Sequence, residues 1–130
     1  MIILDTCAII FDALSPSKLT SKAKKAIIEA EEDRQLFCAD ITLWEIGMLI
    51  QKKRLDPGTD TENFLQLVLE SRQIQVLPIE PEIAALATSL LIPHFDPADR
   101  IIAATAIYHH GSLITSDQKL RKVPNLITVW

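Results

Sequence analysis

A chain of 130 residues, 48% hydrophobic and 23% charged, has an ordinary globular balance and enough length for a buried core, and is read as one domain over residues 1–130. Its formal net charge of −4 at pH 7 excludes a general attraction to polyanions, so a polyanionic partner would need a local basic patch or bound cations. The two cysteines, Cys7 and Cys38, form neither a metal motif nor a bridge framework, which suits reduced thiols in a cytoplasmic protein. No signal peptide is legible, because Asp5 interrupts the N-terminal apolar run, and no apolar stretch is long enough to span a membrane.

In chain order, Met1-Ile2-Ile3-Leu4 reads as a buried strand that ends at the polar pair Asp5-Thr6. Ala8 to Ser17 reads as a connection containing Pro16. Thr20 can cap a helix to about Asp33, with Ala23, Ala26, Ile27 and Ala30 on one face. Leu36 to Ala39 reads as a second strand. A helix then opens at Asp40 or Thr42, with Ile46, Leu49 and Ile50 facing the core, and closes near Lys53 before the turn signal Asp56-Pro57-Gly58. A helix from Thr61 to Arg72 carries the stripe Phe64, Leu65, Val68 and Leu69. Ile74 to Leu77 is a third strand, and Pro81 to Leu91 is a helix. Ser112 to Thr115 is a fourth strand, followed by Ser116-Asp117, and Leu126 to Trp130 is a last strand at the sheet edge. Strands alternating with helices imply a three-layer α/β/α sandwich around a parallel sheet of four to five strands.

The stretch from His94 to Ala106 is the start of a further helix. Asp96 suits the N-cap, where its carboxylate accepts from free backbone N–H groups, and Pro97 suits the first helical position. Asp99 falls on the same face as Ile102, Ala103 and Ala106, so it sits at the rim of a buried face. The two acids are therefore expected to do different jobs. Asp96 has its carboxylate used by the first-turn N–H groups, and Asp99 points along the apolar face. His109 and His110 fall at the helix C-terminus, where free carbonyls can engage them.

Parallel α/β sheets bind ligands at the carboxyl ends of their strands. Asp5 follows the first strand, Asp117 follows the fourth, Glu45 lies in the first turns of the helix after the second, and Asp99 opens the helix leading to the fourth. Each has a plain structural alternative: Asp5 as a turn residue, Asp117 as an N-cap, Glu45 as a solvated helix residue, Asp99 as a first-turn acid. Together they suggest convergence at one end of the sheet. Clustered carboxylates repel and raise one another's pKa, and hard divalent cations remove that cost. Mg2+ prefers oxygen ligands and keeps water and phosphate oxygens in its shell, so such a site can activate water against a phosphodiester.

The segments Leu4-Asp5-Thr6, Trp44-Glu45-Ile46, His94-Phe95-Asp96-Pro97-Ala98-Asp99-Arg100 and Thr115-Ser116-Asp117, in that order and spacing, give the chain a close resemblance to PIN-domain ribonucleases of the VapC toxin type. Each motif alone is weak, but together they span nearly the whole chain. The resemblance implies Asp5, Glu45, Asp99 and Asp117 as catalytic and metal-ligating acids around Mg2+ or Mn2+, with Thr6, Thr115, Ser116 and Asp96 in support. It implies an RNA substrate, a cognate antitoxin protein and a homodimer, for which Phe11, Leu14 and Leu19 look like exposed apolar surface. Cys7 stands where many relatives carry a small polar residue. His94 is read as structural rather than as a ligand, since no other histidine lies at ligand spacing. The basic stretches Lys18 to Lys25, Lys52 to Arg54 and Lys119 to Lys122 can track RNA phosphates or simply be solvated helix ends.

Two other classes remain open. Phosphoryl transfer through an aspartyl phosphate would use Asp5, but it usually needs a second acid two residues on, where Cys7 stands. A non-catalytic binding module would keep the fold without needing all four acids.

Overall fold

A computed structural model describes residues 1–91 and 96–130, so the expectations for His94 and Phe95 lie outside the described residues. Strands β1 (Ile2–Leu4), β2 (Leu36–Ala39), β3 (Gln75–Leu77), β4 (Ser112–Ile114) and β5 (Ile127–Val129) form one sheet. Every neighbouring pair is parallel, in the order β3-β2-β1-β4-β5. Leu4 pairs with Cys38 on one side and Ile114 on the other, and Ala39 pairs with Leu77. This register makes Asp5, Asp40 and Thr115 leave the sheet at the same edge. From β1 the chain builds outward one way to β2 and β3, then returns to the other side for β4 and β5. The reversal point, where parallel sheets open a crevice, lies between β1 and β4.

Among the described residues six helices accompany the sheet: α1 (Thr6–Leu14), α2 (Ser21–Glu32), α3 (Asp40–Gln51), α4 (Thr61–Ser71), α5 (Pro81–Ser89) and α6 (Pro97–Tyr108). The central strands are apolar on both sides because both faces are covered. Leu4, Leu36, Cys38 and Ile114 pack with Ala8 and Ile9 of α1, Ala23 and Ile27 of α2, Ile46 of α3 and Phe64 and Val68 of α4. Ile3, Phe37, Ala39 and Leu113 pack with Ile102, Ala103 and Ala106 of α6. Helix α5 lies against α6 through Ile83, Ala87 and Ala104. The three-layer α/β/α sandwich expected from the alternation is therefore present, with five strands. None of the helices among the described residues is long and apolar enough to cross a membrane.

Four expectations need correction. Ala8 to Ser17 is not a plain connection: Thr6 to Leu14 is a helix that starts directly at the end of β1, followed by a single 3-10 turn at Pro16–Lys18. Asp5 caps that helix by accepting from the Thr6 N–H over 2.8 Å. Leu19 is buried in the core rather than exposed, and Phe11 is half-buried against Trp130 and Lys18, which leaves Leu14 as the exposed member of that group. At the end of α6 it is the backbone N–H groups of His109 and His110 that close on the carbonyls of Thr105 and Ile107, while His109 Nε2 is buried without a hydrogen-bond partner. The fourth concerns Asp96 and is described with the site.

One tie had no sequence signal. Arg72, which caps the C-terminus of α4, donates Nε and Nη2 to the two carboxylate oxygens of Asp12 at 3.0 Å each, and Nη1 to Glu31 at 2.9 Å. One guanidinium thus holds α1, α2 and α4 together, using the bidentate geometry that suits arginine.

Candidate active site: an acidic pocket at the sheet edge

The pocket lies at the carboxyl edge of the sheet and is floored by the first turn of α1. Its volume is about 320 Å³, and its walls carry Asp5, Thr6, Cys7, Ile10, Glu45, Leu49, Asp99, Ser116 and Asp117. All four acids singled out in the sequence, from four separated stretches, face this one space.

Asp5 is almost fully buried. One carboxylate oxygen accepts from the Thr6 N–H, while the other accepts from the Thr115 hydroxyl over 2.6 Å and from the Cys7 thiol over 3.5 Å. Burial pushes its pKa up, these hydrogen bonds pull it back, and the charge of Asp117 adds to the rise. Thr115 is itself buried and accepts from the Asp117 backbone N–H over 3.0 Å. Asp117 in turn accepts from the Lys119 N–H over 2.8 Å, which fixes the loop after β4. Asp117 is not the N-cap of the short 3-10 turn Leu120–Lys122, where Lys119 takes that position, and its carboxylate stays on the pocket wall.

Glu45 reaches the pocket from the second turn of α3. Its Oε1 accepts from the Thr6 hydroxyl over 2.5 Å, and Thr6 also bonds the buried Thr42 hydroxyl over 3.3 Å. Burial raises the Glu45 pKa, the Thr6 hydrogen bond lowers it, and the charges of Asp96 and Asp5 raise it further. Glu45 is thus not simply a solvated helix residue.

Asp99 sits in the first turn of α6, half-buried. Its carboxyl is pushed up to about 7, first by burial and then by the charges of Asp96, Asp5, Glu45 and Asp117. Asp96 caps α6 by accepting from the Ala98 N–H over 3.0 Å. That cap does not use up its carboxylate. Among the described residues, Glu45, Asp96 and Asp99 each offer an oxygen, and the three lie within 4.8 Å of one another. Asp96 therefore stands closer to the acidic cluster than the cap argument allowed, because an N-cap needs only one of its oxygens.

The supporting residues fall as follows. Thr6 and Thr115 are buried hydroxyls that each hold one acid. Ser116 lines the pocket, with its hydroxyl 3.5 Å from the Cys7 thiol. Cys7 is the site residue that spacing did not single out. Its thiol is pushed up to about 11 by burial and by Asp5, so it stays protonated and donates to that acid. Of the basic stretches, Lys119 to Lys122 lies next in sequence to Asp117, whereas Lys52 to Arg54 falls about 10 Å further along α3 from Glu45. Lys25 pairs with Glu29 at 3.9 Å on an exposed helix face.

The donor set suits a hard divalent cation. It is made of oxygens, supplied by carboxylates, and the Asp99 carboxyl is raised first by burial and then by the charges of its acidic neighbours. His109 and His110, at the far end of α6, do not line the pocket.

Comparison with known proteins identifies the family. Residues 2–126 match the family model for the PIN domain. Ribonuclease VapC22 of Mycobacterium tuberculosis is 34% identical over 133 aligned positions, covering 99% of this chain and 98% of that one. Among solved structures, the VapBC2 complex of Rickettsia felis bound to a promoter DNA fragment aligns with a TM-score of 0.75 at 20% identity, over 98% of this chain and 97% of that one. FitAcB of Neisseria gonorrhoeae aligns with a TM-score of 0.65 at 23% identity, over 98% and 96%. With the family model spanning nearly the whole sequence and a relative of this identity at full length, the chain belongs to the PIN-domain family.

Proposed function

We propose that this protein is a metal-dependent endoribonuclease, the toxin of a toxin–antitoxin pair, which hydrolyses RNA phosphodiesters in the acidic pocket. The observation that carries the reading is the convergence of Asp5, Glu45, Asp99 and Asp117 on one pocket at the reversal point of the sheet. It is supported by the full-length likeness to a protein named a ribonuclease.

In this reading Asp5, Glu45, Asp99 and Asp117 hold Mg2+ or Mn2+, with a carboxylate oxygen of Asp96 within 4.8 Å of oxygens of Glu45 and Asp99. Such a cation, when bound, lowers the pKa of a water and offsets charge on the scissile phosphate. The protein's own part is preorganisation. Thr115 and the Thr6 N–H fix Asp5, the Thr6 hydroxyl fixes Glu45, the Lys119 N–H fixes Asp117, and the first turn of α6, capped by Asp96, carries Asp99. Asp99, with its carboxyl at about 7 before any cation arrives, gives up its proton on loading. In this reading Ser116, on the pocket wall, meets a substrate phosphate oxygen.

The partners in this reading are RNA, a cognate antitoxin protein and a second copy of the chain, in the cytoplasm, with residues 1–130 acting as one domain. The Rickettsia felis structure is of a VapBC complex, which motivates the antitoxin. The test is cleavage of single-stranded and structured RNAs by the purified protein with Mg2+, alongside light scattering at micromolar concentration. Cleavage to defined fragments by a dimer is expected. Failure to cut any RNA in Mg2+ or Mn2+, or a covalent phosphate trapped on Asp5, would overturn the reading.

A further inference from the structure

Helices α3 and α6 each bury one threonine in the core, Thr42 and Thr105. A buried hydroxyl needs a partner, and a helical threonine has one at hand in the carbonyl four residues back. Thr105 takes it, donating to the Ile101 carbonyl over 2.7 Å. Thr42 instead reaches out of its helix, to the hydroxyl of Thr6 at the start of α1 over 3.3 Å. The direction of that bond follows from counting hydrogens. The Thr6 hydroxyl has one, and Glu45 Oε1 lies 2.5 Å from it, a separation suited to a hydroxyl donating to a carboxylate. An ionised Glu45 can only accept, so the Thr6 hydrogen goes to Glu45 and Thr42 is the donor to Thr6. The chain therefore runs from Thr42 through Thr6 to Glu45, while the Thr6 N–H donates to Asp5 over 2.8 Å. Thr6 holds two of the four acids, and Thr42 stands behind it, bonded to neither and off the pocket wall.

We propose that Thr42 is a positioning residue for the acidic pocket: by donating to Thr6 it fixes the rotamer in which the Thr6 hydroxyl reaches Glu45, and so holds Glu45 in register with Asp5 for a divalent cation. The inference rests on the ribonuclease reading and adds a residue that acts from inside the core. Glu45 needs such a hold, because it is only half-buried and its side chain has three rotatable bonds to order. Thr6 can supply it, because a β-branched side chain is stiff and one angle decides where its hydroxyl points. Thr42 and Glu45 lie three residues apart on one face of α3, so the hydroxyl from α1 bonds to both. The seating of α1 on α3 is thereby carried into the spacing of Asp5 and Glu45. In buried surroundings hydrogen bonds in a chain strengthen one another. Packing alone does not call for a hydroxyl at this position. Valine has the same shape, and Ile46, one turn further on, is apolar and equally buried.

Thr42→Val keeps the shape and removes the donor, and Thr42→Ala does the same where valine misfits. Titrated with Mn2+ in a calorimeter after dialysis against chelator, both should bind about tenfold more weakly than the unaltered protein, the lower end of what groups supporting metal ligands are worth. Thr42→Ser should restore the affinity. In a Thr6→Val background, Thr42→Val should have no further effect, because the chain is already broken. In cleavage assays at limiting Mn2+ the loss should fall on kcat, with KM for RNA unchanged, and excess Mn2+ should recover it. Three outcomes would overturn the inference while leaving the ribonuclease reading standing. The folded Thr42→Val and Thr42→Ala proteins could bind Mn2+ as the unaltered protein does, Thr42→Ser could bind as weakly as Thr42→Val, or the effect of Thr42→Val could persist in full without the Thr6 hydroxyl. An unaltered protein that neither binds Mn2+ nor cuts RNA overturns both.

Discussion

Thr115 holds Asp5 and Asp117 in fixed relation through one hydroxyl, donating to the Asp5 carboxylate over 2.6 Å and accepting from the Asp117 N–H over 3.0 Å. The residue that ends β4 thereby couples the acid after β1 to the acid after β4, across the reversal point of the sheet. Thr115→Val keeps the shape and removes both bonds. Because the acceptor is a buried carboxylate, the loss should be about 2 kcal/mol of stability, read by denaturant unfolding. The Asp5 pKa should rise further, since the strongest interaction holding it down is gone. Thr115→Ser should recover most of the stability.

Asp99→Asn is expected to abolish RNA cleavage, because an amide is a poor cation ligand compared with a carboxylate. It should also raise the melting temperature of the metal-free protein at neutral pH, since one member of a repelling cluster becomes neutral. A variant that is inactive and also melts lower without metal would show that Asp99 is held by favourable contacts rather than strained by its neighbours.

The fold was legible because the apolar runs at residues 2–4, 36–39 and 113–114 are short, and because Thr20 and Asp96 are capping residues that the structure uses as caps. Helix α1 was hidden for a physical reason. It follows β1 with no intervening loop, and Cys7, Ile9, Ile10 and Phe11 have little intrinsic helix propensity. Packing of Ala8 and Ile9 on the sheet, together with the Asp5 cap, stabilises it instead. Asp5 and Asp117 could be found from strand ends, because a parallel sheet gathers its C-terminal residues at one edge, whereas Glu45 and Asp99 needed their places on helices and the family resemblance. The approach of Asp96 to Glu45 and Asp99 and the exposed indole of Trp44 could not, since each depends on how α3 and α6 sit against that edge, and the bond of the Cys7 thiol to Asp5 depends on β1 running directly into α1.

The pH dependence of the metal-free protein follows from Asp99. Below its ordinary value of 3.8, folded and unfolded chains both hold the proton. Between 3.8 and about 7 the unfolded chain has released it and the folded chain has not, so the Asp99 contribution to stability falls as pH rises, and it levels off above about 7. Asp5 and Glu45, also raised, act in the same direction. The stability gain of Asp99→Asn over the unaltered protein should therefore be absent at pH 3.5, grow through this window and reach a plateau near pH 8. Saturating Mg2+ should remove most of that gain, because the cation offsets the repulsion. Paired thermal melts across pH check both statements.

Asp96 separates capping from the cluster. Asp96→Ala should cost about 1 kcal/mol through the lost cap, while Asp96→Asn should keep the cap and the stability. Because one Asp96 oxygen lies with Glu45 and Asp99, both variants should bind Mn2+ about tenfold more weakly by calorimetry. Unchanged Mn2+ affinity in Asp96→Asn would confine Asp96 to its cap.

The central claim, that cleavage depends on a divalent cation held by these carboxylates, is tested most directly by adding metal back. Protein dialysed against chelator is mixed with a labelled RNA, and fragments are followed as Mg2+ or Mn2+ is titrated in, with Asp99→Asn beside it. No cleavage before addition, recovery with either cation in the unaltered protein and none in Asp99→Asn is the expected result. Undiminished cleavage in excess chelator, or equal cleavage by Asp99→Asn, would contradict it.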